Sequence, residues 1–582
     1  MNLSPRVRKL NLMTCSRNFL LAIVSVMFSS IIAYASDTAD LILTSNNVVT
    51  MLGERVSKPL SIAIKDDRIV WVGDHESGEK IRGKHIHFGD HSILPGFIDA
   101  HGHASYLAFT SQIANMASPP VGPVKDITDL KSQIKQFIEA AKLKPGEWVM
   151  GFGYDDSLLR EQRHPNRDDL DDVGGKHPIY LIHVSGHLGT ANSLGLSLAG
   201  INSETFDPPG GKIRRYEDSS RPNGVLEETA AYPLQRMAMA SYKDPFGSIK
   251  KAMSVYARNG ITTAQDGAAS IESLSLLKAA AARGDLIIDV VAYPMVQAGV
   301  LPELNTSVIG KYEGRLKLGG VKLVLDGSPQ GKTAYLTEPY LKPPQGQGDQ
   351  YLGYPLIPQV TVSGLVKKYL DAGIPIMAHA NGDAAADMLI RAVEEAKISS
   401  DHRTVMIHAQ TIREDQLDKM KSLKIIPSFF SAHTFYWGDW HRDSVFGPER
   451  ARRISPTGST LQRNMPFTVH NDTPIVPPNM IRLLWATTNR ITRSGKILGK
   501  DQRISIYEAL RAITINAAYQ HFEEADKGSI EVGKLADLVV LSKDPLQMPR
   551  EALMELKIMA TYSNGEEIFR RKSNASHMLL EP

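Results

Sequence analysis

The apolar positions of this chain fall into three regimes. Between residues 40 and 75, short apolar runs alternate with turn residues. Leu41–Leu43, Asn47–Met51, Ser61–Ile64 and Arg68–Val72 are separated by Gly53, Asp66-Asp67 and Gly73-Asp74. That rhythm predicts β-strands joined by tight turns. The stretch from Gly528 to Arg570 has the same texture, with Asp537–Leu541 and Ile558–Tyr562 as strands ahead of Gly565. Two distant β-rich ends around a different middle predict one small β-sandwich, built from residues 36–95 and 521–582.

The middle alternates strand and helix patterns, which predicts a parallel α/β architecture. Eight apolar runs end in polar residues. They are Phe97-Ile98, Ile261–Ala264, Ile288–Tyr293, Val321–Leu325, Ile374–Ala378, Thr404–Ile407, Ile425–Phe430 and Phe467–Val469. Helical runs follow several of them, at Ile271–Ala282, Asp383–Lys397 and Glu414–Leu423. Eight strands with helices between them fit a (β/α)8 TIM barrel over residues 96–520. Residues 104–255 break the repeat and carry strand patterns of their own, Trp148–Gly153 and Pro178–His183. They read as an insertion after the first barrel strand, forming a cap near the barrel mouth.

The first 35 residues do not belong to that plan. Arg6, Arg8, Lys9 and Arg17 form a positive segment, Phe19–Ala33 is nearly all apolar, and Ala33-Tyr34-Ala35 offers a small-residue cleavage point. This is the pattern of a secretory signal peptide. It predicts an exported, periplasmic or extracellular protein whose N-terminal sequencing begins at Ser36. An uncleaved leader is the only expected contact with a membrane.

Composition changes little else. Of 582 residues, 42% are hydrophobic and 22% charged, an ordinary globular balance. The whole chain has 66 basic and 63 acidic residues, so losing the four basic leader residues leaves it close to neutral. Nucleic acid is therefore not an expected partner; a homo-oligomer is compatible with the composition. The single cysteine, Cys15, lies in the leader. The mature chain offers no disulfide and no thiolate, so any metal site must use His, carboxylate or a Lys-derived oxygen.

The richest segment is Leu94-Pro-Gly-Phe-Ile-Asp-Ala-His101-Gly102-His103. Histidines at i and i+2 on an extended chain point the same way, so both can reach one ion. Gly102 keeps a side chain out of the space between them. Further candidates stand at or near other strand ends: His379, His408 and Asp472, with Lys322 inside the fourth strand. A lone strand-end histidine is usually a hydrogen-bonded, half-buried residue, and a lone aspartate a helix cap. Taken together they point to one site, because a barrel delivers its strand ends to one mouth.

These residues resemble a known family. The His101–His103 segment is similar to the first-strand signature of the amidohydrolase superfamily, and the chain is similar to its amidohydrolase-3 branch, which includes N-substituted formamide deformylases. Further matching segments are Gly151–Asp155, His164–Leu170, Gly186-His187, Gly224–Glu227, Lys322–Ser328, His379–Asp383, Ile407–Gln410 and Gly528–Leu538. The resemblance implies one or two divalent ions, with zinc the expected metal. It implies that His101 and His103 bind the more buried ion, that His379 and His408 bind the second, and that Lys322 bridges them as a carbamate. Asp472 would touch the first ion and act as general base. The chemistry is sound, since a divalent cation acidifies water and polarises a carbonyl, and a carboxylate can carry the proton. The implied activity is hydrolysis of a carbon–nitrogen bond, amide or N-formyl, in a small molecule. Deamination or ester hydrolysis on the same site, or a secreted binding protein on a decayed scaffold, are the alternatives.

Two departures from the family pattern surround the pocket. His183 stands where an arginine is expected, and His470-Asn471-Asp472 replaces a Gly-Ser-Asp. His187 is a candidate substrate contact. An aromatic run, Phe429-Phe430 with His433, Phe435, Tyr436, Trp437 and Trp440, reads either as a packed loop or as a wall for a bulky substrate. On the second reading Trp437 binds substrate, and Trp437→Ala raises KM for bulky substrates.

Overall fold

The computed structural model describes residues 38–240, 243–296, 306–344 and 346–572. The expected leader, with its cleavage point and Cys15, lies outside them. Among the described residues no helix is long and apolar enough to cross a membrane.

The two ends of the chain meet in one branched eight-stranded sheet. Ser92–Pro95 pairs antiparallel with Leu538–Leu541 and so stitches the N-terminal strands to the C-terminal ones. Leu43, Ile62, Ile64, Ile69, Ile93, Leu538, Val540 and Tyr562 pack into one apolar cluster across that seam. Both tight turns follow from local chemistry. Asp66 (φ 52°) closes the hairpin between Lys58–Lys65 and Arg68–Gly73, and Asn564-Gly565 (φ 51° and 79°) closes Ile558–Ser563 against Glu566–Arg570. Asp, Asn and Gly are the residues that enter the left-handed region at least cost. The sequence reading missed Arg82–His87 and Ser92–Pro95, whose apolar residues are too few to announce a strand.

All eight apolar runs of the middle are strands: β1 Phe97–Ile98, β2 Ile261–Ala269, β3 Asp289–Pro294, β4 Val321–Val324, β5 Ile376–Ala380, β6 Val405–His408, β7 Ile426–Phe429 and β8 Thr468–Val469. They pair in parallel in chain order within two sheets, one holding β1 to β3 and the other β4 to β8. The fourth position is a bent strand. Leu316–Leu318 pairs with β3, and β4 pairs with β5. The bend falls at Gly319-Gly320, where a Cβ would lie 2.4 Å from the Tyr293 ring or 2.1 Å from the Pro375 carbonyl oxygen. Only glycine fits there. Parallel bridges join Met295 to Lys322 and Gly102 to Thr473, the second bringing the extension of β8 back to that of β1.

Helices return the chain between strands. Ile271–Ala282 begins at Ser270, whose hydroxyl accepts from Ser273 N and satisfies one free amide of the first turn. The segment between β1 and β2 builds its own six-stranded sheet. Its spatial order is Gly211–Arg215, Pro222–Glu228, Leu188–Ala191, Ile179–His183, Val149–Tyr154 and Ala114–Asn115. This inserted sheet brings His187 and Glu228 to the ends of the barrel strands.

Candidate active site

The C-terminal ends of the parallel strands open into a cavity of about 340 Å³. His101, His103, Lys322, His379, His408, Asp472 and His187 all line it. The register explains the convergence. Val324 is level with His379 and Ala380 with His408, so successive strand ends deliver their side chains to one level. His408 (φ 71°) and Asp472 (φ 56°) hold positive φ, as does Glu228 (φ 48°). Such backbone strain in residues with full side chains is characteristic of functional positions.

Three histidines present an inward lone pair, because their other nitrogen is engaged. His101 Nδ1 donates to Gln265 Oε1 (2.5 Å), and Gln265 Nε2 donates to Ala100 O (2.8 Å), which fixes the amide's orientation. His101 Nε2 is thus left bare, 3.1 Å from Lys322 Nζ and 3.5 Å from Asp472 Oδ1. His379 Nε2 lies 3.1 Å from Gly327 O and 2.9 Å from Asn381 Nδ2; with its proton on Nε2, given to the carbonyl, Nδ1 is bare.

For His408 the tautomer is set from a distance. Thr468 Oγ1 donates to Gln520 Oε1 (2.7 Å), and Gln520 Nε2 donates to Ala100 O (2.8 Å). With that proton committed, the Ser428 hydroxyl, 2.7 Å from Thr468 Oγ1, must donate to it. His470 Nδ1 then donates to Ser428 Oγ (2.9 Å), and His408 Nδ1 donates to His470 Nε2 (3.3 Å). His408 Nε2 is left bare, 3.9 Å from Asp472 Oδ2. Partners of this kind orient metal-binding imidazoles and fix their tautomers.

The electrostatics agree with that donor set. Burial pushes His101, His379 and His408 well below the ordinary histidine range, which keeps them neutral and able to ligate. Burial brings Lys322, only 2% exposed, down to about 7. For Asp472, burial opposes the charge. The hydrogen bond from His103 Nε2 (3.1 Å) leads the contributions that outweigh it and hold the carboxyl below its usual range. Ligand atoms of His101, His408 and Asp472 lie within 4.8 Å of one another, and bare nitrogens beside a buried carboxylate are what a divalent cation requires.

His187 sits beside this group, its ring 4.9 Å from that of His379. Its Nδ1 donates to Glu228 Oε2 (2.7 Å), and Glu228 Oε1 accepts from Thr333 Oγ1 (2.7 Å). Burial opposes protonation of His187, but Glu228 outweighs it and raises the imidazole's pKa. The two departures find separate places. His470 supports His408, as above. His183 bonds to Asp156 Oδ1 (3.0 Å) and Ser185 Oγ (2.8 Å) and does not line the cavity.

Trp437 is not brought to this cavity. It is 2% exposed, and its Nε1 donates to Asp155 Oδ2 (2.7 Å) in the inserted segment. Phe429 and Phe430 are buried in the core. The aromatic run therefore packs at a junction with the inserted segment, where the indole N–H is satisfied away from the reaction cavity. Trp437→Ala should lower stability by about 3–5 kcal/mol, seen as a lower Tm, with KM for the reaction unchanged. A raised KM at unchanged Tm would restore the substrate-wall reading. The apolar wall of the reaction cavity is made instead by Tyr106, Phe109, Ile182, Tyr232, Met295 and Ile475.

Sequence reasoning also misplaced a glycine. A Cβ at Gly102 would meet nothing closer than 3.4 Å, whereas one at Gly267 would lie 2.3 Å from His101 Cε1. Gly267 is the position whose missing side chain makes room for the ligand ring. Gln265, Asp266 and Glu228 were likewise unassigned. The polar pair that stops the apolar run Ile261–Ala264 was the one available signal for the first two.

The comparisons agree with the architecture. Residues 90–569 match the family model described as amidohydrolase family. The chain is 27% identical over 550 residues to the N-substituted formamide deformylase of Arthrobacter pascens, covering 90% of this chain and 97% of that one. It is 27% identical over 557 residues to Protein LONG AFTER FAR-RED 3 of Arabidopsis thaliana, covering 92% of each. Its fold is similar to the crystal structure of an uncharacterized metal-dependent hydrolase from Pyrococcus horikoshii, with TM-score 0.69 and 23% identity over 88% of this chain and 99% of that one. The chain belongs to the amidohydrolase family, and it is a metal-dependent hydrolase of a carbon–nitrogen bond other than a peptide bond.

Proposed function

We propose that the protein hydrolyses the amide or N-formyl bond of a small molecule, on a (β/α)8 barrel closed between β8 and β1 and covered by the inserted sheet. The observation that carries this reading is the convergence of three bare imidazole nitrogens, a buried lysine and a buried carboxylate in one cavity. In this reading His101, His103 and Asp472 would hold one divalent ion and His379 and His408 a second, and Lys322, as an N-carboxylate, would offer oxygens to them. Zinc suits a set of nitrogen and oxygen donors. When bound, such a cation lowers the pKa of water and polarises the scissile carbonyl.

The chain's own groups do the rest. Near neutral pH, Lys322 is partly a free amine. A free amine attacks carbon dioxide, loses one proton and becomes an N-carboxylate, which supplies two oxygens where an ammonium would repel a cation. Asp472 takes the proton of the attacking water and hands it to the leaving nitrogen. His187, held by Glu228, contacts the substrate beside His379. Tyr106, Phe109 and Tyr232 give room for an apolar substituent on that nitrogen. The formamide deformylase among the relatives supports the N-formyl option.

The test is metal analysis of purified protein combined with a screen of N-formyl and N-acyl amines. Stoichiometric metal and release of free amine are expected, with activity lost on chelation and regained on adding zinc. Release of ammonia alone, or turnover of esters alone, would replace the proposed reaction. A protein without metal and without turnover would favour a binding role.

A further inference from the structure

A second cavity, of about 400 Å³, lies beside the reaction cavity, and Ile475 is the one side chain that lines both. The helix Ala104–Thr110 stands between them. Its Tyr106 and Phe109 face the reaction cavity, and its Leu107 and Thr110 face the second. The second cavity is walled mainly by apolar side chains, among them Phe152, Val184, Tyr436, Trp437 and Val476. Its size is within the range of small-molecule sites.

One cation stands in this wall. Arg493 Nη1 donates to Pro119 O (2.7 Å). Its Nε is buried and has no partner. Among the described residues Arg493 forms no ion pair, although burial works against its charge. Its Cζ lies 5.6 Å from the Tyr436 ring centre and 6.0 Å from that of Phe435, so the guanidinium is held by aromatic faces rather than by an acid. Asp155, the acid of the same cavity, is engaged elsewhere. Its Oδ2 accepts from Trp437 Nε1, and its Oδ1 accepts from Ser157 N (3.0 Å) and Oγ (2.6 Å).

An apolar chamber with one guanidinium in its wall, and no acid paired with it, calls for a ligand with an apolar body and one acceptor-rich negative end. Carboxylate matches the fork of a guanidinium edge. We infer that this cavity is a second binding site, for a small aromatic or aliphatic monocarboxylate whose carboxylate pairs with the guanidinium of Arg493. This does not depend on the reaction proposed above, because its measurement reads binding alone.

The experiment is calorimetric titration of the metal-loaded protein with 4-phenylbutyrate and with its neutral amide. The acid should bind saturably and the amide at least tenfold more weakly. Arg493→Gln should weaken the acid at least tenfold and leave the amide unchanged. Arg493→Lys, which keeps the charge but lacks the guanidinium fork, should also bind the acid more weakly and guards against a misfolded glutamine variant. Equal binding of acid and amide would overturn the inference. So would competitive inhibition of turnover by the acid with binding unaltered in both Arg493 variants, since the probe would then sit at the reaction centre.

Discussion

Replacing Asp472 by Asn should leave metal in place while kcat falls by about 10²–10⁴-fold, the range of a general base. The amide oxygen can still face the ion from the place the carboxylate oxygen held, 3.1 Å from His103 Nε2. What the amide cannot do is accept the proton of the attacking water. KM should move less than kcat, because the loss falls in the transition state rather than in substrate binding. Metal stoichiometry and steady-state kinetics on the same sample check this. Full activity would remove Asp472 from the mechanism, and loss of metal would recast it as a ligand first.

Replacing Lys322 by Ala should have the other large effect, and of a different kind. Lys322 Nζ lies 3.1 Å from His101 Nε2, in the middle of the donor set, and its side chain is almost wholly buried. If a carbamate there joins two ions, the alanine variant loses at least one of them and turnover collapses with it. The truncation also opens space where the missing oxygens stood. Added short carboxylic acids should then restore part of both metal content and activity. Lys322→Ala with full metal and near-normal turnover would refute the bridge. Rescue by neutral amides as well as by acids would show that space, not charge, was being filled.

Much of the site was legible because its residues sit at strand ends. His101, His379 and His408 follow apolar runs, and apolar runs are visible in a single sequence. The same patterning located all eight parallel strands and both β-rich ends. What it could not show was a partner's position. Gln265 and Gln520 are ordinary polar residues in the chain, yet each donates to Ala100 O and so turns an amide oxygen toward the site. Glu228 lies 41 residues from His187 and reaches it only because two strands of the inserted sheet pair antiparallel, setting Leu188 against Glu227. Trp437 lies outside the reaction cavity for the opposite reason. Aromatic composition says that a ring will be covered, not by what, and here Asp155 takes its N–H.

By itself, then, the sequence determined the periodicities: which segments alternate, which run apolar, where they stop in a polar residue, and that the only cysteine is at residue 15. Those are local properties, set by how each residue suits an extended or helical backbone. The tertiary structure decided the tautomers, the depressed lysine and the separation of two neighbouring cavities by Ile475 and one short helix. These depend on distances between residues far apart in the chain, such as the 3.1 Å from Lys322 to His101, and on exclusion of water, which no local pattern records. A proton's position and an amine's charge follow from whatever closes around them, so they came into existence only with the fold.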